Sequence, residues 1–189
     1  AFDLSYLRCI PNITIMAPSD EGMAWKMLNT GYELSGPAAV RYPRGTGMGI
    51  ACIENGETIE IGKSKTILHS NQNDVIILSF GNLLGSAVEV GKKLNYRVVD
   101  MRFIKPLDEK LLQEISGNYQ LIVTLEDNVI AGGAGSAVNE TLLALNSTSK
   151  ILNLGLPDEF IEHASRAEML EMTGLDKKGI LTKIKDSLS

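Results

Sequence analysis

Between Val75 and Leu188, short apolar runs alternate with stretches of helical period, and this alternation constrains the fold more than any other feature of the chain. Val75–Phe80 (VIILSF) reads as a buried strand, after which Gly81 turns the chain into a helix near Leu83–Leu94. Arg97–Met101 is the next strand. Leu107 and Leu112 then flank Asp108 as a staple around an N-cap, and that helix closes at Gly117. Leu121–Leu125 and Ile151–Leu154 are two further strands, with a helix about Ser136–Leu145 between them. Helices over Ser165–Met172 and Asp176–Leu188 finish the chain, the last carrying Ile180, Ile184 and Leu188 on one face. Such an order predicts an α/β fold with a mostly parallel sheet flanked by helices on both faces. Ligands and partner domains meet sheets of this kind at the loops beyond the carboxyl ends of the strands.

The first part of the chain holds a smaller unit. Asn12–Ala17 (NITIMA) is a strand ending at Pro18, and Ser19 or Asp20 offers an N-cap for a helix carrying Met23, Met27, Leu28 and Leu34. Gly36-Pro37 stops that helix, and Ala38–Tyr42 is a second strand. One strand–helix–strand unit is too small to close a core alone. From Gly45 to Gly56 no period survives, which reads as a linker; Thr58–Ile61 and Lys65–Leu68 follow as short strands joined through Gly62. The chain opens Ala1-Phe2-Asp3 without Met, which reads as a piece of a longer polypeptide.

Composition narrows the function classes. The 189 residues are 44% hydrophobic and 22% charged, an ordinary globular balance. A net charge of −5 with dispersed basic residues gives no electrostatic footprint for nucleic acid or an anionic membrane surface. No apolar run approaches the length of a membrane span, and no signal peptide is visible. Cys9 and Cys52 form neither a disulfide framework nor a zinc pattern, and read as two reduced thiols.

Few residues carry chemistry by themselves. In Val40-Arg41-Tyr42-Pro43-Arg44-Gly45, Pro43 stiffens the backbone and Gly45 permits a close turn, so Arg44 can project from a strand end. A guanidinium there suits bidentate capture of phosphate or carboxylate, although a solvated or salt-bridged arginine is the plainer reading for Arg44 and Arg41 alike. Gly132-Gly133-Ala134-Gly135-Ser136 could offer backbone amides to an anion or simply permit tight helix–strand packing; Val138 stands where a dinucleotide fingerprint needs glycine. Phe80–Gly85 also misses that fingerprint, although Asp100 lies suggestively downstream. Glu126-Asp127-Asn128 could be acid–base or metal chemistry, but three adjacent residues do not converge on one metal, and a structural or subunit-contact role is the better reading. His69 and His163 are the only histidines and have no triad-like companions.

Long motifs add a resemblance. Residues 1–45, then Val98–Asp108 (VVDMRFIKPLD), Glu126–Glu140 (EDNVIAGGAGSAVNE), Asn153–Ala164 (NLGLPDEFIEHA) and Gly174–Ile180 (GLDKKGI) closely resemble the deoxyxylulose-phosphate synthases, thiamine diphosphate enzymes of the transketolase family. The resemblance implies a division into residues 1–47, the end of a pyrimidine-binding domain, a linker at 48–56, and a transketolase C-terminal domain over 57–189. It implies a transferase reaction in which pyruvate joins glyceraldehyde 3-phosphate with loss of carbon dioxide, for isoprenoid, thiamine and pyridoxal biosynthesis. Arg44 matches the family arginine that grips the acceptor's phosphate. The magnesium motif, the glutamate that activates thiamine, its aromatic neighbour and the catalytic histidines all lie upstream in the family, one histidine just before the segment where this chain starts. The resemblance thus implies thiamine diphosphate and magnesium in the whole enzyme, with no catalytic, cofactor or metal residue in this chain and no activity from it alone. It further implies partnership with upstream domains, a homodimer, and a cytoplasmic or plastid-stromal location.

Two other classes remain open on sequence. The piece could act only as an interaction and dimerisation module, or, less favourably, as a nicotinamide-binding oxidoreductase domain.

Overall fold

The computed structural model describes residues 1–47, 49–50 and 56–188. In chain order the elements are helix α1 (Asp3–Leu7), strand β1 (Thr14–Met16), α2 (Glu21–Glu33), β2 (Ala38–Val40), β3 (Lys65–Leu68), β4 (Val75–Phe80), α3 (Leu84–Leu94), β5 (Arg97–Asp100) and β6 (Phe103–Lys105). Then come α4 (Glu109–Ile115), β7 (Leu121–Val129), α5 (Ala134–Ala144), β8 (Lys150–Leu156), α6 (Arg166–Thr173) and α7 (Lys177–Leu188). The helix starts follow local chemistry. Asp20 accepts from the Met23 amide at 2.8 Å and Asp108 from the Leu111 amide at 3.2 Å. Ser165 and Glu168 form a reciprocal capping box at the start of α6, and Gly174 closes that helix in the left-handed conformation at φ 63°.

Five strands make the main sheet in the order β3-β5-β4-β7-β8, parallel except for β3, which runs antiparallel to β5. Every residue of β4 is buried, as expected of a central strand covered on both faces. One face carries α4 and α5, through Leu111, Leu112, Val138 and Leu142. The other carries α3 and α7, through Ala87, Val90, Ile180 and Ile184. The first face is also covered by the amino-terminal unit, which contributes Leu4, Ile15 and Ala17.

A second, three-stranded sheet, β2-β1-β6, joins the two parts of the sequence. β1 pairs in parallel with β2 and antiparallel with β6, the latter through Ile15–Lys105 and Met16–Phe103. Met16, Met27 and Phe103 are fully buried together beneath this sheet.

Several boundaries differ from expectation. The first two strands are shorter, at Thr14–Met16 and Ala38–Val40. Thr58–Ile61 forms no strand; Ile59 packs on the Met16–Met27–Phe103 group, and its amide donates to Thr30 Oγ1 at 2.9 Å. β7 runs on to Val129, so Glu126–Asn128 lie within the strand rather than beyond it. α1 and β6 were not expected. The linker expectation rests on Met48 and residues 51–55, Cys52 included, which lie outside the described residues.

Candidate functional site

The sheet order fixes where a ligand crevice belongs. The connection after β4 crosses one face to reach β5, and the connection after β7 crosses the other to reach β8, so the carboxyl ends of β4 and β7 frame the topological switch point. Arg41 fills this place. Its Nε donates to Asp3 Oδ2 at 2.9 Å, its Nη2 donates to the Asp127 carbonyl, and its Nη1 lies 3.8 Å from Asp127 Oδ2. Asn82, in the β4–α3 turn, donates to the same Asp127 carboxylate at 3.3 Å. Partial burial opposes ionisation of Asp3, yet Arg41's charge and hydrogen bond hold its carboxyl below the ordinary value. The segment after β2 is therefore plugged into the crevice by a paired guanidinium.

The adjoining carboxylate has an internal partner too. Glu126 is 1% exposed, and its two carboxylate oxygens accept from the amides of Ala134 and Gly135, each at 2.8 Å. The amides that a diphosphate would need in the glycine-rich turn are thus engaged by Glu126 at the start of α5. Burial outweighs those two hydrogen bonds and the nearby Arg8 and Arg41 charges, pushing Glu126 up to about 7. A Cβ on Gly135 would come within 2.5 Å of Thr124 Oγ1, so close helix–strand packing also claims this glycine. With its amides occupied and the fingerprint glycine missing, the turn does not favour the nicotinamide reading.

The third residue of that run, Asn128, is fully buried and receives the Leu4 amide at 3.3 Å while donating to Ser5 Oγ at 2.9 Å. Arg8 completes the docking of α1: it donates to the carbonyls of Gly132 and Gly133 and pairs with Glu140 at 2.7 Å. Glu126, Asp127 and Asn128 each therefore bind backbone or charge of their own chain, in keeping with a structural role.

Arg44 behaves differently. It is exposed and makes no hydrogen bond or ion pair with the described residues. It lines a cleft of about 570 Å³ whose wall combines Ala1–Asp3, Arg41–Arg44 and Asp127 with a second group, Leu156–Pro157, Glu159–Ile161 and one face of α6. Phe160, 91% exposed, meets Phe2 edge-on at 6.0 Å across that wall. Sequence reasoning missed the second group: its Ser165–Glu168 capping box marks a helix start, but nothing in the local pattern says that the helix faces Arg44.

The remaining candidates do not join this cleft. His69 lies in a separate hollow with Arg97, Glu114 and Tyr119, at the amino ends of the parallel strands. His163 is exposed in the β8–α6 connection. Asp100 is 1% exposed, receives the Arg102 amide at 3.2 Å, and is raised to about 6 by burial against the lowering influence of Arg102. Cys9 is a free, exposed thiol. Among the described residues no three His, Cys, Asp or Glu side chains gather as metal ligands, and no helix is long and apolar enough to cross a membrane.

Comparison with known proteins places this geometry. The chain is 51% identical, over its whole length, to the 1-deoxy-D-xylulose-5-phosphate synthase of Thioalkalivibrio sulfidiphilus, and 52% identical to that of Hahella chejuensis. It spans about 29% of the length of each of these curated relatives. Among solved structures, a split-gene transketolase, described as an inactive β4 tetramer, superposes with a TM-score of 0.85 at 27% identity, covering 98% of this chain and 61% of the other. A Pichia stipitis transketolase variant shares the fold at a TM-score of 0.69 and 17% identity, covering 97% of this chain and 26% of that one. The resemblance read from the long motifs and the α/β fold class are both borne out. Residues 64–180 match the transketolase C-terminal domain, and the chain belongs to that family.

Proposed function

We propose that this chain is the carboxy-terminal portion of a 1-deoxy-D-xylulose-5-phosphate synthase, a transferase that condenses pyruvate with glyceraldehyde 3-phosphate and releases carbon dioxide. The near-50% identity to such synthases along the whole chain supports the reading. Residues 1–47 are then the end of the pyrimidine-binding domain, 48–56 a linker, and 57–189 the C-terminal domain. The parent enzyme uses thiamine diphosphate with magnesium, acts in the cytoplasm, and works as a homodimer.

Within that enzyme the chain supplies grip on the acceptor. The carrying observation is Arg44: an exposed guanidinium, without partner among the described residues, lining the same cleft as the chain's first three residues. Arg41 is bound to Asp3 and Asp127 and holds the segment in place, so that Pro43 presents Arg44 to the cleft. A phosphate monoester there receives two parallel N–H donors from the fork. Thiamine diphosphate, when bound, would supply the electron sink for the loss of carbon dioxide from pyruvate. The described residues do not fit that cofactor's magnesium, because they gather no cluster of ligands. In this reading the cofactor chemistry belongs to the domains upstream.

A charge-assisted contact contributes about 1.5–3 kcal/mol. Arg44→Ala in the full-length enzyme is therefore expected to lower kcat/KM for glyceraldehyde 3-phosphate by roughly 10- to 150-fold. Steady-state kinetics with varied acceptor measure this, and unchanged values remove Arg44 from the site. A calorimetric titration of the 189-residue chain with thiamine diphosphate and magnesium is expected to give no saturable heat; tight, magnesium-dependent binding contradicts the division of labour.

A further inference from the structure

We propose that Arg166, on the first turn of α6, is a second guanidinium for the acceptor's phosphate, facing the cleft from the C-terminal domain; the inference rests on the acceptor-grip reading of Arg44. Three observations point to it. Arg166, Met169 and Leu170 all line the Arg44 cleft, and their spacing of three and four residues sets them on one face of α6. The capping box at Ser165 and Glu168 fixes the start of this helix, so Arg166 springs from ordered backbone rather than from a loose loop.

The charge balance of the cleft supplies the third. Its lining holds Arg41, Arg44 and Arg166 against Asp3, Asp127 and Glu159. Arg41 is bound to both aspartates. Arg44 and Arg166 are exposed and have no hydrogen-bond or ion-pair partner among the described residues. The side chain opposing them is Glu159, an exposed carboxylate likewise unpaired among those residues. The side chains of the lining balance in formal charge, three guanidiniums against three carboxylates, but two of the guanidiniums and one carboxylate are left with their hydrogen-bonding capacity unused among the described residues. Two free forks on opposite walls suit a phosphate monoester dianion, whose three oxygens can take both, better than they suit a neutral sugar or a single carboxylate. Phe2 and Phe160, edge to face at 6.0 Å, add an apolar wall beside it, fitting a short carbon chain.

The inference gives the C-terminal domain a share in substrate choice: one handle comes from the segment after β2, the other from α6. The test uses full-length enzyme carrying Arg166→Gln, Arg166→Lys or Arg44→Ala, assayed with glyceraldehyde 3-phosphate and with unphosphorylated glyceraldehyde. Arg166→Gln is expected to raise KM for the phosphorylated acceptor about tenfold, and to lower the preference for it over glyceraldehyde by a similar factor. Its effect on kcat is expected to stay within about threefold, and inorganic phosphate should weaken as a competitive inhibitor in step with KM. Arg166→Lys should recover part of the loss, because the charge remains while the fork does not. If Arg44→Ala impairs phosphate use and Arg166→Gln does not, the inference fails while the grip reading stands. If neither variant alters the preference, the grip reading itself fails. Equal losses with both acceptors would make Arg166 a structural residue and overturn the assignment.

Discussion

Glu126 shows how one buried carboxyl can be legible as a motif and illegible as a role. The sequence marks Glu126-Asp127-Asn128 as unusual beyond a strand, but not that each side chain answers a different partner: helix amides, a guanidinium, and the backbone of α1. Those partners lie far away in sequence, and spacing arguments do not reach them. The pH consequence follows from burial. Glu126 titrates near 4.5 when unfolded and near 7 when folded, so between those values the folded state binds the extra proton. Its stabilising contribution is fully present below about pH 4.5 and is lost as pH rises through about 7. Glutamine cannot titrate, and its amide nitrogen must face one of the two α5 amides. The stability advantage of the parent chain over Glu126→Gln should thus be greatest near pH 5 and shrink by on the order of 2–3 kcal/mol toward pH 8. Urea midpoints of both proteins across that range measure it; a constant difference would show that Glu126 is ionised throughout.

Elements were read from sequence where their stabilisation is local. Val75–Phe80 agrees end for end because a run of six residues, apolar but for Ser79 and bounded by turn residues, suits a central strand. The α2, α4 and α6 starts follow from Asp20, Asp108 and Ser165, whose capping bonds are made within three residues. β6 and α1 were missed for the opposite reason. Phe103–Lys105 is three residues long and becomes a strand by pairing with β1, nearly ninety positions earlier. Asp3–Leu7 is one short turn of helix, below the length at which propensity speaks, and is held by Asn128, Ala131 and the Arg8 contacts to the glycine-rich turn. That turn offers an element-scale test. The close approach of α5 to β7 leaves 2.5 Å between a Cβ at position 135 and Thr124 Oγ1, with Asn153 3.1 Å away. Thr124 and Asn153 are themselves hydrogen-bonded at 2.8 Å, so neither yields freely. Gly135→Ala should therefore cost about 1–3 kcal/mol in chemical denaturation. Gly85→Ala, which meets nothing within 4 Å, is the matched comparison and should be neutral or slightly stabilising.

At the scale of the whole chain, the boundary suggested by composition falls between residues that the three-dimensional structure ties together. β1 shares a sheet with β6, the Ala17 amide donates to the Arg102 carbonyl at 2.8 Å, and Lys105 Nζ donates to the Arg8 and Ile10 carbonyls at 3.0 and 2.7 Å. Leu4, Ile15 and Ala17 complete the same apolar cluster as Ile76, Leu78 and Phe80 of the central strand. Two units joined only by a linker would unfold separately; units that complete one core unfold together. The 189-residue chain is accordingly expected to show one urea transition, with far-ultraviolet circular dichroism and Trp25 fluorescence coincident, Trp25 reporting the amino-terminal unit and the dichroism mainly the main-sheet unit. Residues 57–189 expressed alone keep the five-stranded sheet but lose the cover of Leu4 and Ile15, each of which contributes about 1.5–3 kcal/mol when buried. That piece should unfold at a clearly lower urea concentration and bind a hydrophobic dye at the uncovered α4–α5 face. Two resolved transitions in the longer chain, or equal midpoints for the two proteins, would mean that the Arg41 plug and the shared sheet carry no stability. The segment bearing Arg44 would then sit on the C-terminal domain as a loose attachment, and a phosphate handle built from both halves would lose its physical basis.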